Sequence, residues 1–375
     1  MIYLFVILLL LAFAVSSDFR SHESSQSKQG KFVIAFLLLT LIAGLRYMNG
    51  GDTLNYYTNF LNMPALDQLT AIDIETSRHQ PGFTIFTSLC KSIVPNFTFQ
   101  QLVHAIFINF SIFFFIKHKT QRVFLALLFY FMLNYLEYNM EIMRESMAVA
   151  CVLFALHFYE KKRYLWALAF VVLGYEFHIS CMIALLYPFL SRVYWTNKSA
   201  LIVLALSIII PLVYISIPNL NAYIVLLTNQ DALADQYSVQ ELNPELNVNY
   251  YILFVFKYVL IPYVLLRIIN KHGNFKYVGF IYAYIFLQLL GMYSYAFYRF
   301  ANYFAPFYWL LFAESVYILL KKGFFRRTPR MAFMILVIMA FLYVYQNGQL
   351  IKYEGEYLYE RYIPYESVLT FPKTY

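Results

Sequence analysis

Four short segments of this 375-residue chain hold the residue types that bind or transfer charged groups, and each lies at the edge of an apolar run. The first is Gly44-Leu45-Arg46-Tyr47-Met48-Asn49-Gly50-Gly51-Asp52-Thr53, followed by Tyr56 and Tyr57. Its paired glycines let backbone come close to a ligand, while Arg46 and Asp52 could instead close a turn as an ion pair. The second is Glu141-Ile142-Met143-Arg144-Glu145-Ser146. Its two glutamates stand one helical turn apart and can flank Arg144 on one face. Carboxylates suit a helix N-terminus and an arginine does not, so the helix dipole accounts for Glu141 and Glu145 better than for Arg144. The third is Gly174-Tyr175-Glu176-Phe177-His178-Ile179-Ser180. There His178 with Glu176 is a candidate base or phosphate donor, or a satisfied structural histidine. The fourth is Tyr295-Ala296-Phe297-Tyr298-Arg299-Phe300-Ala301-Asn302-Tyr303, where Arg299 has no carboxylate close in sequence.

Arginine binds phosphate through a planar, always-charged fork. Three arginines converging beside an apolar bundle suit a lipid pyrophosphate whose chain lies in a bilayer. There is no Gly-rich P-loop, no H-E-x-x-H, no G-x-S-x-G and no metal-ligand spacing. Cys90, Cys151 and Cys181 are scattered in apolar surroundings and read as packing residues.

The elements that must position these groups follow from composition. The chain is 61% hydrophobic, 21% aromatic and only 13% charged, against about 25% charged in soluble domains. Mean hydropathy is +0.59. So few charges cannot cover a soluble surface of this size, and the fold class expected is an all-α polytopic membrane bundle. Apolar runs at Ile2–Ser16, Phe32–Leu45, Gln101–Ile116, Val123–Asn139, Met147–Tyr159, Tyr164–Glu176, Ile179–Leu190, Ala200–Ile217, Tyr251–Ile269, Tyr277–Phe297, Ala301–Leu320 and Met331–Tyr345 predict about twelve crossings. The first run, with no basic residue before it and no small-residue cleavage site after it, is expected to be an anchor. The 36 Tyr and 38 Phe fit aromatic belts at the membrane interfaces, or, on the outer face, platforms for sugar rings.

The net charge of +8 sorts itself by loop. Lys and Arg gather at Arg20 to Lys31, Lys117 to Arg122, Lys161 to Arg163, Arg192 to Lys198, Arg267 to Lys276 and Lys321 to Arg330. These loops should face the cytoplasm, which places both termini and all four segments outside. The basicity is then a topology signal, and nucleic acid is not an expected partner. The whole chain reads as a single polytopic domain, with external loops at about residues 46–80 and 218–249 and an external tail at 346–375. Pro81–Val94 breaks the alternation and reads as a re-entrant or interfacial helix, tolerated at membrane depth if protein or a water cavity covers it.

At these residues the sequence resembles the EpsG family of polysaccharide-biosynthesis membrane proteins, related to Wzy-type polymerases. A G-x-R…G-x-D-x-x-x-Y segment is represented by Gly44, Arg46, Gly50 or Gly51, Asp52, Tyr56 and Tyr57. An R-x-x-x-A helix start is Arg144 to Ala148, and a basic turn leading to F-H-x-S is Lys161-Lys162-Arg163 and Phe177 to Ser180. A late R-x-x-x-Y is Arg299 and Tyr303, and a tail P-Y pair is Pro364-Tyr365. Two positions depart from the pattern: Gln80 stands where an acidic residue is common, and Glu145 where Gln is common. The family pattern therefore does not fix the base.

The resemblance implies a GT-C-like glycosyltransferase at the outer face of the bacterial cytoplasmic membrane. It would join undecaprenyl-pyrophosphate-linked oligosaccharide units for capsule, exopolysaccharide or O-antigen synthesis. Expected partners are that lipid-linked oligosaccharide, the bilayer, and a chain-length regulator and flippase of the same pathway. In this scheme Arg144 and Arg299 neutralise the leaving pyrophosphate, with Arg46 a third candidate. His178 assists the leaving group or deprotonates the acceptor hydroxyl, and Asp52 is the alternative base. Tyr56, Tyr57, Glu145, Glu176 and Tyr303 are candidate substrate contacts, and no metal or cofactor is expected. The competing readings are a flippase or transporter of lipid-linked oligosaccharide, and a polysaccharide ligase.

Overall fold

The computed structural model describes residues 2–20, 23–216, 252, 254–291, 295–321, 362 and 364–370. The regular elements among these residues are all helices, and the only β-pairing among them is an isolated antiparallel bridge between Arg46 and Ser367. The expected helix at Met331–Tyr345 and the external segment at 218–249 lie outside the described residues.

Helices follow the apolar runs but start and stop where local chemistry allows. α1 (Ile2–Phe13) continues through a π-helical turn to Asp18. α2 (Ser25–Gly44) begins ahead of its apolar run because the Ser24 side chain accepts from the Ser27 N–H. α3 (Thr53–Asn62) and α4 (Ala71–Thr76) fill the first predicted external loop, and α4 is started by a capping box between Thr70 and Asp73. α5 (Pro81–Ile93) starts on a proline that needs no N–H partner in a first turn. Its 13 residues are fewer than a spanning helix requires.

α6 (Phe97–Lys119) is capped by Asn96 and ends on Lys117, His118 and Lys119, cations that suit a helix C-terminus. α7 (Val123–Tyr130), a π-helical turn (Phe131–Tyr135) and α8 (Leu136–Met140) form one continuous path. α9 (Met143–Glu160) and α10 (Tyr164–Phe177) make a hairpin, with the Phe158 and Phe170 rings stacked at 5.5 Å. A 3-10 stretch (Ile179–Leu186) and α11 (Tyr187–Leu190) follow. The run Ile179–Leu190 is thus divided, and Pro188, which lacks an N–H and cannot sit inside a regular helix, stands at the start of α11.

Among the described residues, three helices are long and apolar enough to cross a membrane: Ser25–Gly44, Phe97–Lys119 and Val123–Met140. Shorter apolar helices cover Ile2–Asp18, Tyr164–Phe177, Ile179–Leu190, Asn197–Leu206 and Val278–Gly291. This is the helical architecture of a membrane protein.

The chain divides into two compact units, residues 1–184 with 312–375, and residues 185–311. The first unit has two chemically distinct ends. At one, Lys31 pairs with Glu23, Lys119 with Glu160, and the Arg122 guanidinium lies 3.4 Å from the Tyr317 ring centroid. Here Glu314, which the sequence places inside a span, accepts a hydrogen bond from the Thr120 hydroxyl. The other end holds the C-terminus of α2, all of α3, and the N-termini of α5 and α9.

In the second unit the described elements are α12 (Asn197–Ser216) and, further along the chain, a π-helical turn (Phe256–Leu260) that leads into α13 (Ile261–His272). Next come α14 (Val278–Gly291) and α15 (Tyr295–Asn302), and α16 (Ala305–Lys321) runs out of this unit into the first. The expected run Tyr277–Phe297 holds α14 and the start of α15, and Gly291 lies against the Tyr298 backbone, where a side chain would crowd it. The unit's core is aromatic: Tyr187, Tyr277, Phe280, Phe304 and Phe307 contact ring to ring.

Candidate functional site

The site is built on a turn that only glycine can make. Gly50 has φ +112°, and a Cβ there would lie 2.2 Å from the Met140 carbonyl oxygen. This contact seats the Gly50-Gly51 turn on the chain entering α9. The Gly51 N–H then donates to Glu141 Oε1 at 3.1 Å, and the Thr53 hydroxyl donates to the Asn49 carbonyl at 2.6 Å. Glu141 stands outside the helix, and its carboxylate orients the glycine turn.

Arg46 lies beneath this turn and is fully buried. Its Nη1 donates to the Ala43 carbonyl at 2.5 Å and its Nε to the Asn49 carbonyl at 3.3 Å. Burial lowers its pKa to about 10, with nearby Tyr135, Tyr365, Tyr3 and Tyr56 opposing the shift, and it stays cationic at neutral pH. No carboxylate among the described residues pairs with it, and Asp52 is exposed. The ion pair that the sequence allowed is therefore absent, and Arg46 holds backbone.

α3 buries Thr53, Tyr56 and Phe60 on one stripe. Its C-terminal carbonyls are held by Lys91 of α5, whose ammonium donates to Phe60, Leu61 and Met63 at 3.0, 2.8 and 2.6 Å. Ser88 and Ser92 bind the following loop at Pro64 and Leu66. α5 is thereby a bracket for the first external segment. At its start Gly82 lies against the Glu176 backbone, where a Cβ would come 2.7 Å from the carbonyl oxygen.

Arg144 stands in the first turn of α9, half-buried, where the dipole disfavours it. Its partner is Gln80: Nη1 donates to Oε1 at 3.1 Å. Neither Glu141 nor Glu145 forms an ion pair with it, and Glu145 is buried. Tyr56 is also beside Arg144. Burial raises the Tyr56 pKa, Arg144 lowers it and Asp52, one turn earlier on α3, raises it again. Asp52, Tyr56, Gln80 and Arg144 thus form one cluster.

Two histidines at this end were not singled out from the sequence. His79 contacts the Tyr56 ring at 6.2 Å and the Phe83 ring edge-on at 5.5 Å. His104 of α6 is fully buried, its Nε2 3.1 Å from the Met143 carbonyl and 3.0 Å from the Ser146 hydroxyl, and so fixes the first turn of α9. The adjacency of His79 to Gln80 was legible; the role of His104 was hidden inside an apolar run.

The other expected site residues are placed as follows. Tyr57 is half-buried with its ring 5.6 Å from Phe97. His178 is 5% exposed, its Nδ1 2.5 Å from the Ser180 hydroxyl. Glu176 is half-buried and makes no ion pair with His178 among the described residues. Arg299 and Tyr303 belong to the second unit: Arg299 is half-buried on α15, while Tyr303 is fully buried and its carbonyl accepts from the Tyr187 hydroxyl at 2.8 Å. The described residues contain no group of three or more His, Cys, Asp or Glu arranged to hold a metal.

No curated protein and no solved structure matches the chain. The EpsG family model matches residues 31–367, which takes in the glycine turn, Arg144, His178, Arg299 and the Pro364-Tyr365 pair. The chain belongs to the EpsG family of polysaccharide-biosynthesis membrane proteins.

Proposed function

We propose that the chain is a GT-C-like polymerase that joins lipid-linked oligosaccharide units at the outer face of the bacterial cytoplasmic membrane. The donor is a chain carried on undecaprenyl pyrophosphate, and both termini of the protein lie outside. The observation that carries this reading is Arg144: a part-exposed guanidinium held by a neutral amide and set beside Tyr56, which lies one turn along from the exposed Asp52 carboxylate.

In the reaction, the acceptor hydroxyl oxygen bonds to the anomeric carbon as the bond from that carbon to the phosphate oxygen breaks. The electron pair leaves with the pyrophosphate, where Arg144 stabilises the developing charge. Asp52 takes the hydroxyl proton. Tyr57 and the exposed side of α3 contact sugar. Arg46, Glu145 and His178, all buried, position the elements that carry these groups. A chain-length regulator and a flippase of the same pathway act alongside.

The test gives purified protein pre-flipped lipid-linked units in detergent. Chain growth that disappears in Arg144→Ala, with the variant still in the membrane, supports the polymerase. Long polymer from that variant would sink this site. Lipid movement in vesicles without chain growth would favour a flippase.

A further inference from the structure

The cluster around Arg144 contains more hydrogen-bonding capacity than it uses. Arg144 Nε is buried and has no hydrogen-bond partner among the described residues; the same holds for His79 Nδ1. Buried polar nitrogens without partners are costly. His79 is nonetheless held in place. Its backbone N–H donates to the Ser77 hydroxyl at 3.1 Å, that hydroxyl is 2.9 Å from the Thr84 hydroxyl on α5, and its ring is wedged against Tyr56 and Phe83. A guanidinium Nε only donates, and a protonated imidazole only donates. A ligand that meets both nitrogens with the imidazole protonated is rich in acceptors, as a phosphate group is.

We propose that His79 is a second ligand of the diphosphate, donating to it as an imidazolium beside Arg144, so that the site takes up a proton when the diphosphate binds. This rests on the reading of Arg144 as the diphosphate anchor.

The electrostatics agree. Without an anion, burial and then Arg144 and Arg78 lower the His79 pKa to about 3, so the ring is neutral. The ionisable groups around it are Arg78 on its own loop, Tyr56 of α3 with Asp52 behind it, Arg144 of α9, and Glu176, whose backbone lies against Gly82 three residues further on. A diphosphate brings opposite charge to the side on which the arginines repel the imidazolium, and an opposite charge nearby favours the charged form. Binding and protonation are then reciprocal. Ligand recruits proton, and a lower pH tightens ligand. With one proton linked, affinity rises about tenfold for each unit fall in pH while the free ring is neutral and the bound ring charged.

The experiment titrates the full-length purified chain in detergent with a short prenyl diphosphate, by calorimetry in buffers of different ionisation enthalpy. Unmutated protein and His79→Gln are compared, the variant subtracting protons that the ligand itself gains or loses. The expected result is that the unmutated protein takes up close to one proton more than His79→Gln, and that its affinity gains the steeper pH dependence. Arg144→Ala should bind neither probe nor proton. Equal proton uptake by the unmutated chain and His79→Gln, with binding intact, overturns the role of His79 and leaves the Arg144 reading standing. No binding of the probe by unmutated protein removes both. The imidazole nitrogen shifts of the unmutated chain provide the answer without a variant: a ring that stays neutral in the complex also overturns the proposal.

Discussion

Arg144 Nη1 donates to Gln80 Oε1 across 3.1 Å, so the guanidinium is oriented by a group that does not neutralise it. A carboxylate in the same place would fix the side chain equally well and cancel its charge. An amide keeps the positive potential available to a ligand, in a first helical turn whose dipole adds to it. The arrangement disfavours folding slightly and favours anion capture.

Gln80→Glu should therefore convert an anion site into an ion pair. Diphosphate affinity should fall by about 2 kcal/mol, roughly thirtyfold, as the like-charged ligand meets a compensated arginine. Thermal stability should stay level or rise. Calorimetry with a prenyl diphosphate and a melting curve on the same sample check both; unchanged affinity would show that ligand does not reach Arg144.

Arg144→Lys keeps the charge and removes the fork. Lysine is a compact point charge that cannot hold Gln80 and a phosphate in one plane. Polymer formation should drop about 10- to 100-fold, with the loss in turnover larger than the loss in substrate affinity. Steady-state kinetics on lipid-linked units separate the two, and full turnover in the lysine variant would reduce Arg144 to a source of positive potential.

Gly82→Ala should act at a distance from the chemistry. The added Cβ meets the Glu176 carbonyl at 2.7 Å, and backbone atoms on both sides cannot yield as a flexible side chain could. α5 must then move off the end of α10, and with it Gln80 and Lys91, which hold Arg144 and the end of α3. A cost of about 1–3 kcal/mol is expected, together with faster proteolysis of residues 46–80. Wild-type stability and activity in Gly82→Ala would mean the two helices are not locked together.

Much of this was legible from residue order. The apolar runs gave the helices because an unbroken apolar stretch has few alternatives in a membrane. Pro81 marked the start of α5, and the glycine pair marked a real turn. What could not be read was partnership. Arg46 looked like a ligand group because nothing in sequence indicates that carbonyls of Ala43 and Asn49 lie within reach. Glu141 and Glu145 looked like partners of Arg144 by helical spacing, yet α9 begins only at Met143, so Glu141 turns to the Gly51 N–H instead. Gln80 registered as a departure from a pattern, and its contact 64 residues away in sequence is a tertiary fact. The packing of Gly291 against Tyr298 was hidden for the same reason: a single glycine in an apolar run is a weak signal until its neighbour is known.

The tail makes the last case, because its contacts are unusually complete for a segment so far from its partner. The Asn49 side chain uses both its ends: Nδ2 donates to the Pro364 carbonyl at 2.9 Å, and Oδ1 accepts from the Glu366 N–H at 2.9 Å. Backbone pairs run alongside, Tyr47 N–H to the Glu366 carbonyl at 2.9 Å and Val368 N–H to the Leu45 carbonyl at 3.0 Å. The Tyr365 hydroxyl donates to the Ile42 carbonyl at 2.9 Å and the Ser367 hydroxyl to the Leu45 carbonyl at 3.0 Å, both at the end of α2. The tail thus clasps the chain on both sides of Arg46 and fixes the turn that carries Asp52. Asn49→Ala leaves a buried donor and a buried acceptor unmade, for a cost of about 2–4 kcal/mol. Asn49→Asp should cost at least as much, because it loses the donor and buries a charge beside the Pro364 carbonyl. Tyr365→Phe removes a single bond and should cost about 1 kcal/mol. Protease cleavage within residues 362–370 should accelerate in that order, least for Tyr365→Phe, and polymer yield should fall in parallel. Release of the tail without loss of polymer would separate the clasp from the site.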